Sequence, residues 1–310
     1  MENASPYNPN EGTIYAEFED PRRMQLIQAI VALSPELAKL PRDTYFCLWL
    51  ADISRLEVLA DPKIDKTLRY NSIMNLIPDP CLIGARAFEL KGPRDQQVAK
   101  ASLEIDNNIC ILTQTGQPGL VPARIFPYSL NGSDGAKTWR FLSMLWTEEK
   151  VSAWKESILE FSPDRQSLIN TEKVENYITL HIGPHNLWNR CGFALRPIFL
   201  DANQTHLRLQ FHYLPLKSNV PKTFRSELVD TASKPDLPSL EELDYCPSQP
   251  LKLFCFDGED LMSGEDIAMW SSDPKKYPLP SWHLLEMQWI FSRISAMYGA
   301  SDPQDEANEC

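Results

Sequence analysis

The chain has 310 residues, and its 42 Asp and Glu against 30 Lys and Arg give a formal net charge of −12 at pH 7. This acidic balance counts against nucleic acid as a partner, because binding to polyanions depends on Lys and Arg contacts to phosphates. The 43% hydrophobic content is ordinary for a globular protein. No apolar run approaches the roughly 20 residues that a membrane span needs.

The seven cysteines are scattered, odd in number and without any CxxC spacing. This usage is typical of reduced thiols and predicts neither disulfides nor a zinc site. The first residues lack the basic and apolar regions of a signal peptide. We therefore expect an intracellular, cytoplasmic protein.

Residues 1–107 predict a polar tail followed by a helical layer. Apolar residues recur at helical spacing after Asp20-Pro21, and three more helices are expected over residues 43–59, 65–76 and 96–103. We interpret this region as a layer that packs over the centre of the chain.

Residues 108–215 combine strand and helix patterns. They predict two strands joined by a turn, a long aromatic helix, a short helix and an antiparallel strand pair. The predicted ranges are 108–112 and 120–126 for the two strands, 139–161 and 183–190 for the helices, and 193–200 and 206–214 for the pair. The aromatic stripe of the long helix, which includes Trp139 and Trp146, is typical of a core but also fits a ligand wall.

The last third of the chain contains a long connection and a second mixed segment. Residues 216–250 are polar and rich in proline, which favours a long loop. Residues 251–310 predict strands over 251–256 and 266–270, a helix over 281–298 and an acidic tail. We expect all four regions to form one compact α+β domain.

Four segments of the central region carry a resemblance: Cys110-Ile-Leu-Thr, Ala123-Arg-Ile-Phe-Pro-Tyr-Ser, Glu175-Asn-Tyr-Ile-Thr-Leu and His185-Asn-Leu-Trp. They are similar to segments of fungal HNH-endonuclease-like proteins. Phe193-Ala-Leu-Arg-Pro and Pro278-Leu-Pro-Ser-Trp extend the similarity to about residue 300. The resemblance implies an HNH-like ββα core with additional antiparallel strands and a C-terminal helix.

In such a nuclease, a strand histidine is the general base, an asparagine orients it and a helix histidine helps to hold a divalent metal. The resemblance places Asn176 and His185 at the second and third positions. At the first position the family pattern Ala-His-Ile is replaced by Ala123-Arg124-Ile125. Because a guanidinium cannot accept a proton at neutral pH and repels a metal ion, the sequence predicts a scaffold that has lost phosphodiester cleavage.

Each of these polar residues also has a structural interpretation. Asn176 fits a turn cap, and His185 fits a satisfied buried histidine or a helix-surface residue. Arg124 fits an ion pair with an acid such as Glu175. His181 is a candidate replacement for the base, although its segment leads into the short helix.

Our first functional hypothesis is a cofactor-independent cyclase for an apolar, terpenoid-like small molecule. A pericyclic reaction such as an intramolecular Diels–Alder cyclisation needs shape, proximity and one electrophilic contact, but no proton relay and no metal. The candidate catalytic residues are Arg124, Tyr128 and His185, and the candidate substrate-binding residues are Asn176, His181, Trp188, Trp146 and Trp139.

The alternatives are a non-catalytic pseudo-nuclease that binds a partner and an active metal-dependent HNH nuclease. A closed apolar cavity beneath the Trp-rich helix favours the cyclase, whereas a filled core there favours the interaction protein. The oligomeric state stays open.

Overall fold

The computed structural model describes residues 14–74, 95–126, 135–162, 165–169, 171–215, 227–235 and 252–298. Within these ranges nine α-helices accompany four small antiparallel sheets. The chain is therefore α+β, which confirms the predicted class. Among the described residues, no helix is long and apolar enough to cross a membrane.

The helical layer consists of five helices: α1 Pro21–Leu33, α2 Arg42–Trp49, α3 Ile53–Leu59, α4 Lys66–Met74 and α5 Gln96–Ile105. The predicted single helix over residues 43–59 is wrong, because the chain breaks between α2 and α3. Asp52 adopts extended backbone there and accepts hydrogen bonds from the Thr147 backbone (2.8 Å) and from Lys150 Nζ (2.7 Å). A tertiary contact thus overrides the helical pattern.

The described part of the predicted long loop contains one strand. β8, Leu228–Asp230, pairs with β1, Lys39–Pro41. The hydroxyl of Thr231 donates to the Leu37 carbonyl at 2.6 Å, which anchors this pair to the helical layer. Apart from this strand, residues 227 and 231–235 of the loop are described, and the rest lies outside the described residues.

The central strand pair differs from its prediction. β2, Leu120–Arg124, pairs with β5, Tyr177–His181, and the predicted hairpin with residues 108–112 is wrong. Residues 107–113 form turns, in which Asn107 and Asn108 have positive φ values that asparagine tolerates. The short helix α8, Ile182–Asn189, follows β5 directly, within one residue of its prediction.

The predicted aromatic helix is two helices, α6 Gly135–Leu145 and α7 Glu148–Glu156, so the prediction of one helix over 139–161 is wrong. The break occurs at Thr147, whose hydroxyl accepts a hydrogen bond from the Lys150 N–H and caps α7. The strands β3 Leu159–Ser162 and β4 Arg165–Ile169 then form a hairpin.

The largest sheet has the order β6-β7-β9, with β6 Phe193–Leu200, β7 His206–Tyr213 and β9 Asp266–Trp270. These strands confirm the predictions at 193–200, 206–214 and 266–270. The predicted strand over 251–256 is wrong, because a single bridge between Phe254 and Asp260 stands in its place.

The C-terminal helix α9, Trp282–Tyr298, confirms the prediction over 281–298. The Ser281 hydroxyl accepts a hydrogen bond from the Leu284 N–H at its start. α9 packs against β6, α2 and α7, so it joins the large sheet to the helical layer. The predicted acidic tail from residue 301 lies outside the described residues.

Candidate functional site

The strands β2 and β5 and the helix α8 form a unit in which Arg124 is the last residue of β2, opposite Tyr177. The Arg124 side chain is 8% exposed and forms an ion pair with Glu172. Its Nη2 and Nε lie 2.6 and 3.0 Å from Glu172 Oε1, and Nε also lies 2.9 Å from the Tyr177 hydroxyl. We call these three residues the Arg124 triad.

The carboxylate of Glu172 is surrounded by donors. Besides Arg124, its Oε2 accepts hydrogen bonds from the Tyr177 hydroxyl at 2.8 Å and from the Asp95 backbone N–H at 2.9 Å. Arg124 thus pairs with an acid as one interpretation expected, but with Glu172 instead of Glu175.

The Arg124 triad holds no base suited to nuclease chemistry at the Arg124 position. Burial raises the pKa of Tyr177 to about 12, and the hydrogen bond to Glu172 acts in the same direction. The phenol therefore stays protonated at neutral pH, and a guanidinium has no lone pair for a proton. The triad offers fixed charges and oriented donors.

Asn176 joins the chain segments at the end of β2. Its buried Oδ1 accepts a hydrogen bond from the Phe126 N–H at 2.6 Å, while Nδ2 donates to the carbonyls of Phe126 (3.1 Å) and Thr171 (2.9 Å). These bonds match the pattern of a strand ladder. Asn176 therefore fixes the backbone that follows Arg124, in line with the turn-cap interpretation.

Two tryptophans complete the surroundings of the β2 end. Trp188 of α8 is buried, and its indole N–H donates to the Arg124 carbonyl at 2.9 Å. Trp139 of α6 stacks on Phe126 with ring centroids 6.3 Å apart. The structure thus brings together Arg124, Asn176, Trp188 and Trp139 at one end of the unit.

The two candidate histidines lie elsewhere on the unit. His181 is the last residue of β5, opposite Leu120, and its Nε2 lies 3.2 Å from the Pro118 carbonyl oxygen. His181 lies four positions after Tyr177 on β5, a distance of about 13 Å at the usual strand rise, so it does not reach the Arg124 position. His185 is half-buried on α8, three residues before Trp188 and hence on a neighbouring part of the same helix face.

Trp146 belongs to a closed aromatic cluster. It is fully buried between Phe141, Trp154 and Phe291, with ring centroids 6.2, 5.9 and 5.8 Å away. These rings come from α6, α7 and α9, not from the β2–β5–α8 unit. Tyr128 lies outside the described residues.

The described residues contain no group of three or more His, Cys, Asp or Glu side chains arranged to hold a metal ion. Sequence reasoning also missed two members of the Arg124 triad. Tyr177 had a weak signal, since it directly follows Asn176, but its place opposite Arg124 depends on the β2–β5 register that the structure gives. Glu172 had none, because its position depends on the chain path before β5.

Comparisons with protein-family models, with curated proteins and with solved structures give no match for this chain.

Proposed function

We propose that this chain is a non-cleaving protein on an HNH-like ββα scaffold and acts as a cofactor-independent cyclase on an apolar, terpenoid-like small molecule. The pairing within the unit supports the scaffold, because β2 pairs antiparallel with β5 and α8 follows β5 directly, with α6, α7, β3 and β4 as an insertion between the two strands. Arg124 ends the first strand, Asn176 precedes the second and His185 lies on the helix. These are the three positions that the resemblance implies.

The observation that carries the proposal is the buried ion pair between Arg124 and Glu172, at 2.6 Å. It supports the loss of phosphodiester cleavage, because the base position holds a fixed cation already neutralised by a carboxylate. A pericyclic cyclisation needs no proton relay and gains from preorganised dipoles. The Arg124 triad supplies such dipoles in a rigid arrangement.

The cyclase is tested with an acyclic diterpenoid that carries a diene and an unsaturated aldehyde. We expect the protein to accelerate cyclisation and to favour one stereoisomer more strongly than buffer does. Chiral chromatography with mass detection measures both the rate and the ratio of stereoisomers. Tyr177→Phe and His185→Ala are each expected to reduce the rate about tenfold or more. Glu57→Gln, at an exposed ion pair with Arg22, is the matched control and is expected to retain the rate.

A rate equal to that in buffer contradicts the cyclase, and unchanged rates in both variants contradict this site. Circular dichroism and the melting temperature of each variant separate loss of function from loss of fold.

The loss of cleavage is tested with supercoiled plasmid and Mg²⁺ or Mn²⁺. We expect the wild-type protein to leave the plasmid intact, and nicking by it would overturn the proposal. Arg124→His restores a titratable group at the base position. Nicking by this variant alone would support an inherited nuclease geometry.

A second candidate, a non-catalytic interaction protein, is favoured by the filled cluster around Trp146. Its rings leave Trp146 fully buried beneath the helices where a substrate pocket was predicted. This candidate predicts that the diterpenoid does not quench tryptophan fluorescence at any soluble concentration. Saturable quenching would favour the cyclase instead.

A further inference from the structure

A cleft of about 170 Å³ lies between the C-terminal end of α5 and strand β9. Residues 105–107, 109–111 and 114 line one side, and residues 268–270 and Leu279 line the other. Polar and apolar atoms contribute almost equally to its wall, and Lys, Arg and His are absent from its lining residues. None of the Arg124 triad belongs to this wall, so the cleft is a separate feature of the fold.

Asp106 is the charged residue of the cleft wall. The hydrogen bonds that its carboxylate accepts come from Thr179, with 2.8 Å between Oδ2 and the backbone nitrogen. No cationic side chain in the described part of the chain pairs with it. Burial raises the pKa of Asp106 to about 6, against the opposing hydrogen bonds from Thr179, so the carboxylate is mostly ionised at pH 7.5.

The position of Asp106 adds to the negative potential of the cleft. Asp106 is the C-cap residue of α5, and the last turn of that helix contains no basic residue. The C-terminal carbonyls of a helix carry a partial charge of about −0.5 and favour cations. A carboxylate at this end therefore lacks the counter-charge that helix ends usually recruit.

Gln114 provides a further acceptor. Its side-chain N–H donates to the Ile111 carbonyl at 3.2 Å, which leaves the amide oxygen without a donor among the described residues. Asp106 and Gln114 thus each provide a side-chain acceptor on this side of the cleft.

Trp270 forms an aromatic part of the wall. It is 68% exposed, yet its ring is held by His206, which stacks on it with a centroid distance of 3.6 Å and an interplanar angle of 2°. Phe199 in turn packs edge-on against His206. His206 covers one face of the indole, and no aromatic ring in the described part of the chain stacks on the other.

We propose that this cleft binds the ammonium group of a small organic cation, with Asp106 as counter-ion and the Trp270 indole as aromatic wall. Aromatic faces attract such cations, and a carboxylate accepts charge-assisted hydrogen bonds from them. A hard metal cation fits less well, because it needs several oxygen ligands and Asp106 is the single carboxylate among the lining residues.

The test compares benzylamine with benzyl alcohol, which has nearly the same size but no charge. We expect saturable binding of benzylamine at pH 7.5, measured by ¹H–¹⁵N chemical-shift perturbation at residues 105–114 and 266–270, and binding of the alcohol about tenfold weaker or more. Asp106→Asn keeps an acceptor for the Thr179 N–H and is expected to weaken benzylamine binding about tenfold. Trp270→Leu is expected to weaken it severalfold.

The matched control is Phe256→Leu, at an exposed aromatic residue that does not line the cleft, and it is expected to leave binding unchanged. Equal affinity for amine and alcohol, an unchanged affinity in Asp106→Asn, or no benzylamine binding up to about 50 mM would overturn the proposal. Displacement of benzylamine by K⁺ at constant ionic strength would assign the cleft to an inorganic cation and overturn it too. The comparison of amine and alcohol on the wild-type protein holds even if a variant fails to fold.

Discussion

Arg124 is held at the end of β2 by one carboxylate and one phenol, and each of these partners depends on the guanidinium. Glu172 is 20% exposed, so removing Arg124 would leave a largely buried carboxylate without its counter-charge. Breaking such a pair from one side costs more than the pair contributes to stability, because the remaining charge stays desolvated.

We therefore expect Arg124→Met to lower the free energy of unfolding by about 1–3 kcal/mol. The measurement is urea unfolding followed by tryptophan fluorescence. Arg22→Met, at a pair whose side chains are 56% and 48% exposed, is the control and should change stability by less than about 0.5 kcal/mol.

The double variant Arg124→Met with Glu172→Gln is expected to be more stable than the sum of the two single losses predicts, by about 0.5–3 kcal/mol. Additive losses would show that the Arg124 triad contributes nothing as a unit. That result would also remove the main support for a rigid electrostatic site.

At this scale the sequence singled out individual residues but did not give their partners. Arg124 is visible in the chain, and its inability to accept a proton at neutral pH follows from the guanidinium alone. The choice of Glu172 over Glu175 is not visible, because both acids lie in the same short connection before β5. Asn176 was recognisable as a turn residue, but the segments that it joins were not.

At the level of elements, the sequence predicted helices and strands correctly where the hydrophobic pattern repeats over a long stretch. Examples are α9, β6 and β7. The two predicted long helices failed at Asp52 and Thr147, which meet in space through a 2.8 Å hydrogen bond. This hydrogen bond stabilises both helix breaks. It is a tertiary contact, so the hydrophobic pattern of either segment alone does not predict it. The partner of β2 was missed because it lies more than 50 residues further along the chain.

The turn into β2 gives a prediction at this scale. Gly119 has φ +104°, and a Cβ there would lie 2.8 Å from His181 Nε2. Gly119→Ala is expected to lower the free energy of unfolding by about 1–3 kcal/mol, because it adds both backbone strain and a clash. Thermal unfolding by circular dichroism measures the loss.

The control is Gly183→Ala in the first turn of α8, where an added Cβ meets nothing within 4 Å and helix propensity favours alanine. Combining Gly119→Ala with His181→Ala removes the clash and leaves the strain, so part of the loss should return. No recovery would assign the whole effect to the backbone.

At the scale of the whole molecule, α9 forms an ion pair with the N-terminal end of the described chain. Arg293 of α9 is 1% exposed, and its two Nη atoms each lie 2.8 Å from an oxygen of Glu17, with one also bonded to the Ile14 carbonyl. Its guanidinium stacks over Trp289 at 4.2 Å. Residues separated by 276 positions thus meet in one ion pair beside the core.

This pair makes stability depend on pH. Burial alone would raise the pKa of Glu17, but Arg293 outweighs it and lowers the pKa from 4.5 to about 2. A carboxylate with a depressed folded-state pKa contributes stability above its unfolded pKa, and that contribution is lost as the pH falls from about 4.5 towards 2. We therefore expect Glu17→Gln to destabilise the protein by about 1–2 kcal/mol at pH 7, a value reduced for the one-third exposure of this side chain.

The difference between the wild-type protein and Glu17→Gln should shrink as the pH is lowered from 5 to about 3. Urea unfolding at several pH values measures it, with Glu57→Gln of the exposed Arg22 pair as the control whose effect should stay below about 0.5 kcal/mol. A difference that stays constant over this range would show that Glu17 acts through packing instead of charge. Because Arg293 lies in the helix that contacts both the sheet and the helical layer, unfolding of all three should follow the same transition.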